Sequence, residues 1–312
     1  MKSPLRFLPA CALACALQLP ALAGPKVGLL MKDRGVFWTS VEAGATEAVA
    51  AAGGTLVAKG PQTASNLGQQ LALLSLLGGE EGLAALLVSP LSVEEFQRPL
   101  AVLKARGVKI VVLDTSPTDA FGDTFVGYDQ EAMAREAGRF FAGLVQPGDE
   151  MAMLRANTLE RISLREKTFV AAVKELHPDA VVHMDVMAGA TKEDDYPQSC
   201  LLLERHPGIR AVATMFTAPS LGMLRAIKDK EVGGKIRHLG FGTGLPAAAV
   251  EAIEAGRLQG WVAQQPSFIG KKAVEAAFAL LAGKTVPRWI EVEYVVVTKA
   301  NLADPGIQAL RK

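Results

Sequence analysis

A handful of side chains in this sequence are suited to holding a small molecule. Two adjacent rings, Phe37 and Trp38, follow the apolar run Lys26–Met31 and the polar turn Lys32–Gly35. A carboxylate, Asp114, ends the run IVVLD, and an amide, Gln264, follows GWVA. A guanidinium, Arg165, lies in ERISLREKTF. Rings offer a stacking surface, a carboxylate accepts from hydroxyls, a guanidinium is a forked donor, and an amide both donates and accepts. Arg34 in the polar turn, Asp129 in VGYDQ and Arg161, one turn before Arg165, are further candidates.

Each has a plain structural alternative. Adjacent helix positions point about 100° apart, so Phe37 and Trp38 cannot share one core stripe, and at least one is expected to line a ligand site. Asp114 is either a loop cap or an acceptor for ligand hydroxyls, while Thr115 and Ser116 fit ordinary turn chemistry. Arg165 and Arg161 are either solvated surface charges or donors into a cleft. Gln264 precedes Gln265-Pro266, so a turn role competes with a ligand role.

Signals for catalysis or cofactors are missing from the sequence. His177, His183, His206 and His238 show no metal-ligand spacing with Cys, Asp or Glu. The acidic run Glu193-Asp194-Asp195 reads as a complement to the positive end of a following helix. No G-x-S-x-G, Gly-rich phosphate loop or Cys/His pair occurs. Gly240-Phe241-Gly242-Thr243-Gly244 resembles only a fragment of a dinucleotide fingerprint. The expectation is a binding protein that is not an enzyme, with no metal and no cofactor.

The chain has 312 residues, 50% hydrophobic, with a net charge of +1. That is enough for two medium domains or one large one, and it offers no long-range attraction for nucleic acid or an anionic membrane. The N-terminus reads as a signal peptide over residues 1–23. Lys2 and Arg6 are its basic region, Phe7 to about Leu19 its apolar region, and Ala21-Leu22-Ala23 its cleavage site. An uncleaved anchor and a lipoprotein are the alternatives, but Ala-Leu-Ala before Cys15 is a poor lipidation signal. Cleavage leaves Cys200 as the one cysteine, read as a buried apolar thiol.

The elements that position these residues alternate from end to end. Strands are predicted at Val27–Met31, Thr55–Ala58, Ala84–Ser89, Lys109–Asp114, Thr124–Gly127, Glu150–Leu154, Val181–Val186, Ala211–Phe216, Ile236–Phe241, Gly260–Ala263 and Glu293–Val297. Their near-continuous apolar runs suit parallel strands covered on both faces. Amphipathic stretches lie between them, such as Leu67, Leu71 and Leu74, or Ala137, Phe140, Phe141 and Leu144. So many strands exceed one sheet at this size, and residues 116–129 read as a crossing segment. Two α/β lobes with a cleft between them follow.

In order and spacing these segments resemble the type I periplasmic binding proteins of the ribose- and galactose-binding group, from about Lys26 to Thr298. The carriers include KVGLLMKDRGVFWTSVEAGATEAVAAAGG, GGEEGLAALLVSPLS, ARGVKIVVLDTSP, VGYDQEAMAREAG, RAVATMFTAPSLGMLRAI, IRHLGFGT and AIEAGRLQGWVAQQPSFIGKK. The resemblance implies an α/β fold of two Rossmann-like, doubly wound lobes joined by three hinge crossings. Lobe 1 would be residues 24–127 with 265–293, and lobe 2 residues 128–264 with 294–312. It places the stacking pair on Phe37 and Trp38, the acid after the fourth strand on Asp114, the lobe 2 arginine on Arg165 and the crossing amide on Gln264.

Three positions depart from that pattern. Gly35 replaces a polar residue two before the first ring, Phe216 an asparagine and Gly242 an aspartate. Unpaired hydroxyls in a closed cleft cost about 1–3 kcal/mol each, so these losses argue against an ordinary sugar. Phe216 makes lobe 2 more apolar and Gly242 is expected to leave room. The implied ligand has an aromatic or aliphatic portion and an anionic or hydroxylated end facing Arg165.

The expected function is capture of a sugar-like or less polar solute, in the periplasm, by a monomer serving an inner-membrane ABC permease. The alternative is a ligand-sensing module read by a histidine kinase or chemoreceptor. A repressor effector domain is disfavoured by the signal peptide and by the lack of an N-terminal helix-turn-helix. An exported enzyme lacks a nucleophile–base pair.

Overall fold

The computed structural model describes residues 24–63, 66–115, 121–156, 160–187 and 192–311. The expected signal peptide and Ser116 lie outside them, as does the side chain of Arg161.

The chain opens with three strand–helix pairs and a fourth strand. They are β1 Lys26–Leu30, α1 Val36–Ala51, β2 Thr55–Lys59, α2 Leu67–Gly78, β3 Leu83–Val88, α3 Val93–Ala105 and β4 Lys109–Leu113, followed by β5 Thr124–Gly127 and α4 Gln130–Ala142. A second series comprises β6 Glu150–Ala156, α5 Glu160–Leu176, β7 Val182–Met187, α6 Lys192–Arg205, β8 Ile209–Thr214, α7 Thr217–Asp229, β9 Arg237–Thr243, α8 Ala247–Glu254 and β10 Gly260–Gln264. The chain ends with α9 Pro266–Leu281, β11 Trp289–Glu291, β12 Tyr294–Val297 and α10 Pro305–Gln308. The helix starts are written locally: Asn66 accepts from Gln69 N, Ser92 from Glu95 N and Asp129 from Ala132 N.

These strands form two six-stranded sheets. Their orders are β11-β5-β4-β3-β1-β2 and β12-β10-β9-β8-β6-β7. Every pairing is parallel except β10 with β12. The two sheets share one winding, each with a switch of direction beside its first strand. All eleven predicted strands are present; β11 is the addition. It is a three-residue edge strand, Trp289–Glu291, with Trp289 and Glu291 exposed, so it carries no apolar run to read.

The cores follow from strands buried on both faces. In lobe 1, Val27, Leu29, Val111 and Leu113 pack on α1 and α9, while Leu30, Leu86, Ile110 and Val112 pack on α2 and α3. In lobe 2, Met151, Met153, Ala211, Ala213 and Phe241 face α4 and α5. The opposite face carries Trp261, Ala263 and Val297 against α8 and α10, and Ala152, Leu154 and Val212 against α6 and α7.

Three crossings join the lobes, and their direction decides where a ligand can sit. The carboxyl end of β5 leads within three residues to the start of α4, which returns antiparallel to the strands of the second sheet. The carboxyl end of β10 leads likewise to α9, which packs on α1 of the first lobe. β11 runs parallel to β5, and β12, antiparallel to β10, begins three residues later. Each crossing therefore joins the carboxyl edge of one sheet to the carboxyl edge of the other. The two edges that bind ligands in open α/β sheets adjoin.

One close approach fixes the second crossing. A Cβ on Gly44 would lie 2.0 Å from Ser267 O, and one on Gly270 2.1 Å from Val41 O. Glycine at both points lets α9 lie against α1, so Gln264 is held in a set relation to the helix bearing Phe37 and Trp38.

Candidate functional site

On the lobe 1 side the rings differ in burial. Trp38 is 4% exposed and packs with Met31, Val41 and Ala45, whereas Phe37 is half-buried at the margin of that cluster. They meet edge to face with centroids 5.3 Å apart. The offset expected of adjacent positions holds, with Trp38 on the core stripe and Phe37 off it. Arg34 is exposed and pairs with Glu42 at 3.3 Å. Burial raises the Asp33 carboxyl above the usual carboxylate range, although Gly35 N donates to its Oδ1 at 2.6 Å.

Asp114 follows β4 with φ 37°, in the left-handed region that aspartate tolerates better than most residues. Its N–H donates to Val126 O, which holds the bend against β5, and its side chain is buried. Beside it Lys32 Nζ donates to Thr115 Oγ1 at 3.4 Å. A buried carboxylate and a nearby ammonium on one strand edge suit hydroxyl recognition.

On the lobe 2 side Arg165 is buried, which removes the solvated-surface alternative. Its Nε and Nη2 donate to Gln130 Oε1 at 3.0 and 2.8 Å, and Nη1 donates to Met215 O at 2.6 Å. The guanidinium lies 5.3 Å from the centroid of Phe241, within cation–π range. Gln130 is the first residue of α4, so the arginine is tied directly to the first crossing. Gln264 is buried, and among the described residues its amide donates to the Met133 sulfur, at 3.8 Å. A thioether is a weak acceptor that a ligand oxygen would better. Phe216 is half-buried at the start of α7, packed against both faces of the lobe 2 core. Asp129 caps α4.

A family model for the periplasmic binding protein domain matches residues 27–285. The chain belongs to that family. Its relatives include the ribose import binding protein RbsB of Bacillus subtilis, 29% identical over 230 residues, 70% of each chain. RbsB of Escherichia coli is 24% identical over 96% of this chain and 99% of its own. Among solved structures, a carbohydrate transporter solute binding protein from Agrobacterium radiobacter, in complex with D-arabinose, aligns with TM-score 0.82 and 23% identity. That alignment covers 93% of this chain and 99% of the other. The glucose-galactose binding protein GanP of Geobacillus stearothermophilus gives 0.78 at 22% identity, over 89% and 99%. These neighbours share the type I fold of two α/β lobes.

In this periplasmic binding protein the glycine at position 242 does not leave the room expected of it. A Cβ there would lie 2.1 Å from Trp261 Cζ2 and 2.7 Å from Cη2. One on Gly240 would lie 2.8 Å from the same indole. Trp261 is fully buried and its Nε1 donates to Gly244 O at 2.8 Å. The two glycines make space for one indole, and the space is filled.

Sequence reading passed over three polar residues of the lobe 2 binding-protein edge. Gln130 looks like an ordinary helix start in YDQEA, yet it accepts both of Arg165's side-on hydrogens. Arg155 sits one residue beyond the predicted strand, and Glu166, fully buried, accepts from its Nε at 2.8 Å. The chain signal for them was charge interrupting an apolar run, MAMLRA. Among the described residues no group of three or more His, Cys, Asp or Glu is placed to hold a metal, and no helix is long and apolar enough to cross a membrane.

Proposed function

We propose that this protein is a non-enzymatic periplasmic solute-binding protein that captures a sugar-like small molecule between its lobes and presents it to an ABC importer. The observation that carries this is the adjoining of the two carboxyl edges. On this reading Phe37 and Asp114, near the carboxyl edge of one sheet, face Arg165, Phe216 and Gln264, near that of the other. Phe37, backed edge to face by the buried Trp38, stacks on the apolar face of the solute, Asp114 and Gln264 bond its hydroxyls, and Arg165 gives a charge-assisted contact. Closure about the crossings removes water and strengthens those polar contacts. Ribose import in the relatives and D-arabinose in the structural neighbour support the solute class.

The lobes we assign are residues 24–127 with 265–293 and 128–264 with 294–312, in a monomer exported by cleavage before Gly24. With Phe216 apolar and the space at Gly242 occupied by Trp261, the ligand has a less polar portion than a free pentose or hexose. The same loss of hydroxyl partners favours, as a second reading, a sensor whose closed form is read by a membrane kinase or chemoreceptor. A thermal-shift panel tests the ligand class. Stronger shifts with alkylated, aryl-bearing or acidic sugar derivatives than with ribose and galactose are expected. Equal shifts across all free sugars would sink it. Loss of uptake of the identified solute on gene deletion separates importer from sensor.

A further inference from the structure

Arg155 occupies a position that none of the roles above uses. β6 alternates between the two cores of lobe 2: Met151 and Met153 face α4 and α5, while Ala152 and Leu154 face α6 and α7. Arg155 therefore projects on the α4–α5 face, the face on which Arg165 lies. The register fixes its height. Leu154 pairs with Thr214 of β8, so Arg155 stands level with Met215, whose carbonyl takes Arg165 Nη1. Adjacent strands are about 4.8 Å apart, so two guanidinium-bearing residues converge on one strand end.

The way Arg155 is held matters as much as its place. Its side chain is 30% exposed, whereas Glu166, its partner, is completely buried. Among the described residues Glu166 is its hydrogen-bond partner, met by Nε at 2.8 Å. Neither Nη has a described partner, so the outer edge of the guanidinium keeps a pair of donors with fixed geometry. A bidentate anion matches both the geometry and the charge.

We propose that Arg155 is a specificity-determining residue that recognises an anionic group, a carboxylate above all, on the captured solute. This rests on the reading of the chain as a solute-binding protein. The ligand class is thereby narrowed to acidic sugar-like compounds, with the acid group seated on the β6 edge of lobe 2 and anchored by Glu166 through Arg155.

The test measures affinity by calorimetry for matched pairs that differ in one acid group: galactose and galacturonate, glucose and glucuronate, ribose and ribonate. Wild type binds at least one acid more tightly than its neutral partner, and added salt weakens the acid alone. Arg155→Met removes one partner of the buried Glu166, so Arg155→Met/Glu166→Gln is measured beside it as a second variant. In both, the acid loses about tenfold or more while the neutral sugar stays within about twofold. Arg155→Lys retains part of the preference. Equal loss for acid and neutral sugar, or none for either, overturns the proposal and leaves solute binding standing. So does a wild type that binds only neutral sugars. If wild type binds no compound of either kind, the solute-binding reading fails and the proposal with it.

Discussion

Replacing Gly242 by alanine adds one methyl group, and the structure says where it lands. It would sit 2.1 Å from Trp261 Cζ2, against an ordinary carbon–carbon contact of about 3.5–4.0 Å. The neighbour cannot swing aside as a flexible side chain would. The indole is fully buried, anchored by Nε1–H to Gly244 O at 2.8 Å, and pressed against Gly240 along its other edge. Overpacking of this kind costs about 1–3 kcal/mol, and a displaced indole loses about 1 kcal/mol more with its hydrogen bond. We expect Gly242→Ala to lower stability by about 2–4 kcal/mol. Trp261→Phe removes the outer ring atoms that the methyl group would strike. Guanidinium unfolding of both single variants and the double closes a cycle. In the Trp261→Phe background the alanine should cost under about 1 kcal/mol, a coupling of about 1–3 kcal/mol. The same cost in both backgrounds would refute the account of a filled space and restore an open one.

Three further outcomes follow from particular contacts. His238 is buried, its Nε2 paired with Thr214 Oγ1 at 2.9 Å, and burial lowers its pKa from 6.5 to about 3. The folded state thus binds the proton less readily than the unfolded chain. Stability is full above the unfolded pKa of 6.5 and is lost as pH falls from there to about 3, by about 2 kcal/mol between pH 6.5 and 5. Urea unfolding against pH checks this, and His238→Gln should flatten the slope. Trp38→Ala should cost about 3–5 kcal/mol of stability, while Phe37→Ala costs less and acts on solute affinity; equal stability losses would contradict their different burial. Gly44→Val should separate α9 from α1, lowering the melting temperature and weakening solute binding together, since Ser267 O lies where its Cβ would be. Unchanged melting would contradict the close helix approach.

Much of this architecture was legible because parallel strands covered on both faces are written as apolar runs, such as LAALLV and KIVVL. β11 was not, because a short edge strand with two exposed residues has neither a run nor an alternation. The candidate residues could be picked out of the sequence one by one, but not their contacts. Asp114 and Gln264 stand out by ending apolar strands. The partnership of Arg165 with Gln130 joins residues 35 apart in sequence and has no local mark. Gly242 misled for a related reason. A missing side chain reads as space, and only packing shows that Trp261, nineteen residues on, occupies it. Arg155 fell just beyond a strand whose predicted end came two residues early.

The most direct test of capture between the lobes is native mass spectrometry of the protein purified from the periplasm without denaturation, with the released molecule identified. We expect one small molecule per chain, retained on a second purification at neutral pH and lost from both Phe37→Ala and Arg165→Met, one variant from each lobe. A chain that carries no molecule and binds none of the sugar-like panel would contradict the account. So would a molecule that stays bound when either lobe's variant is introduced.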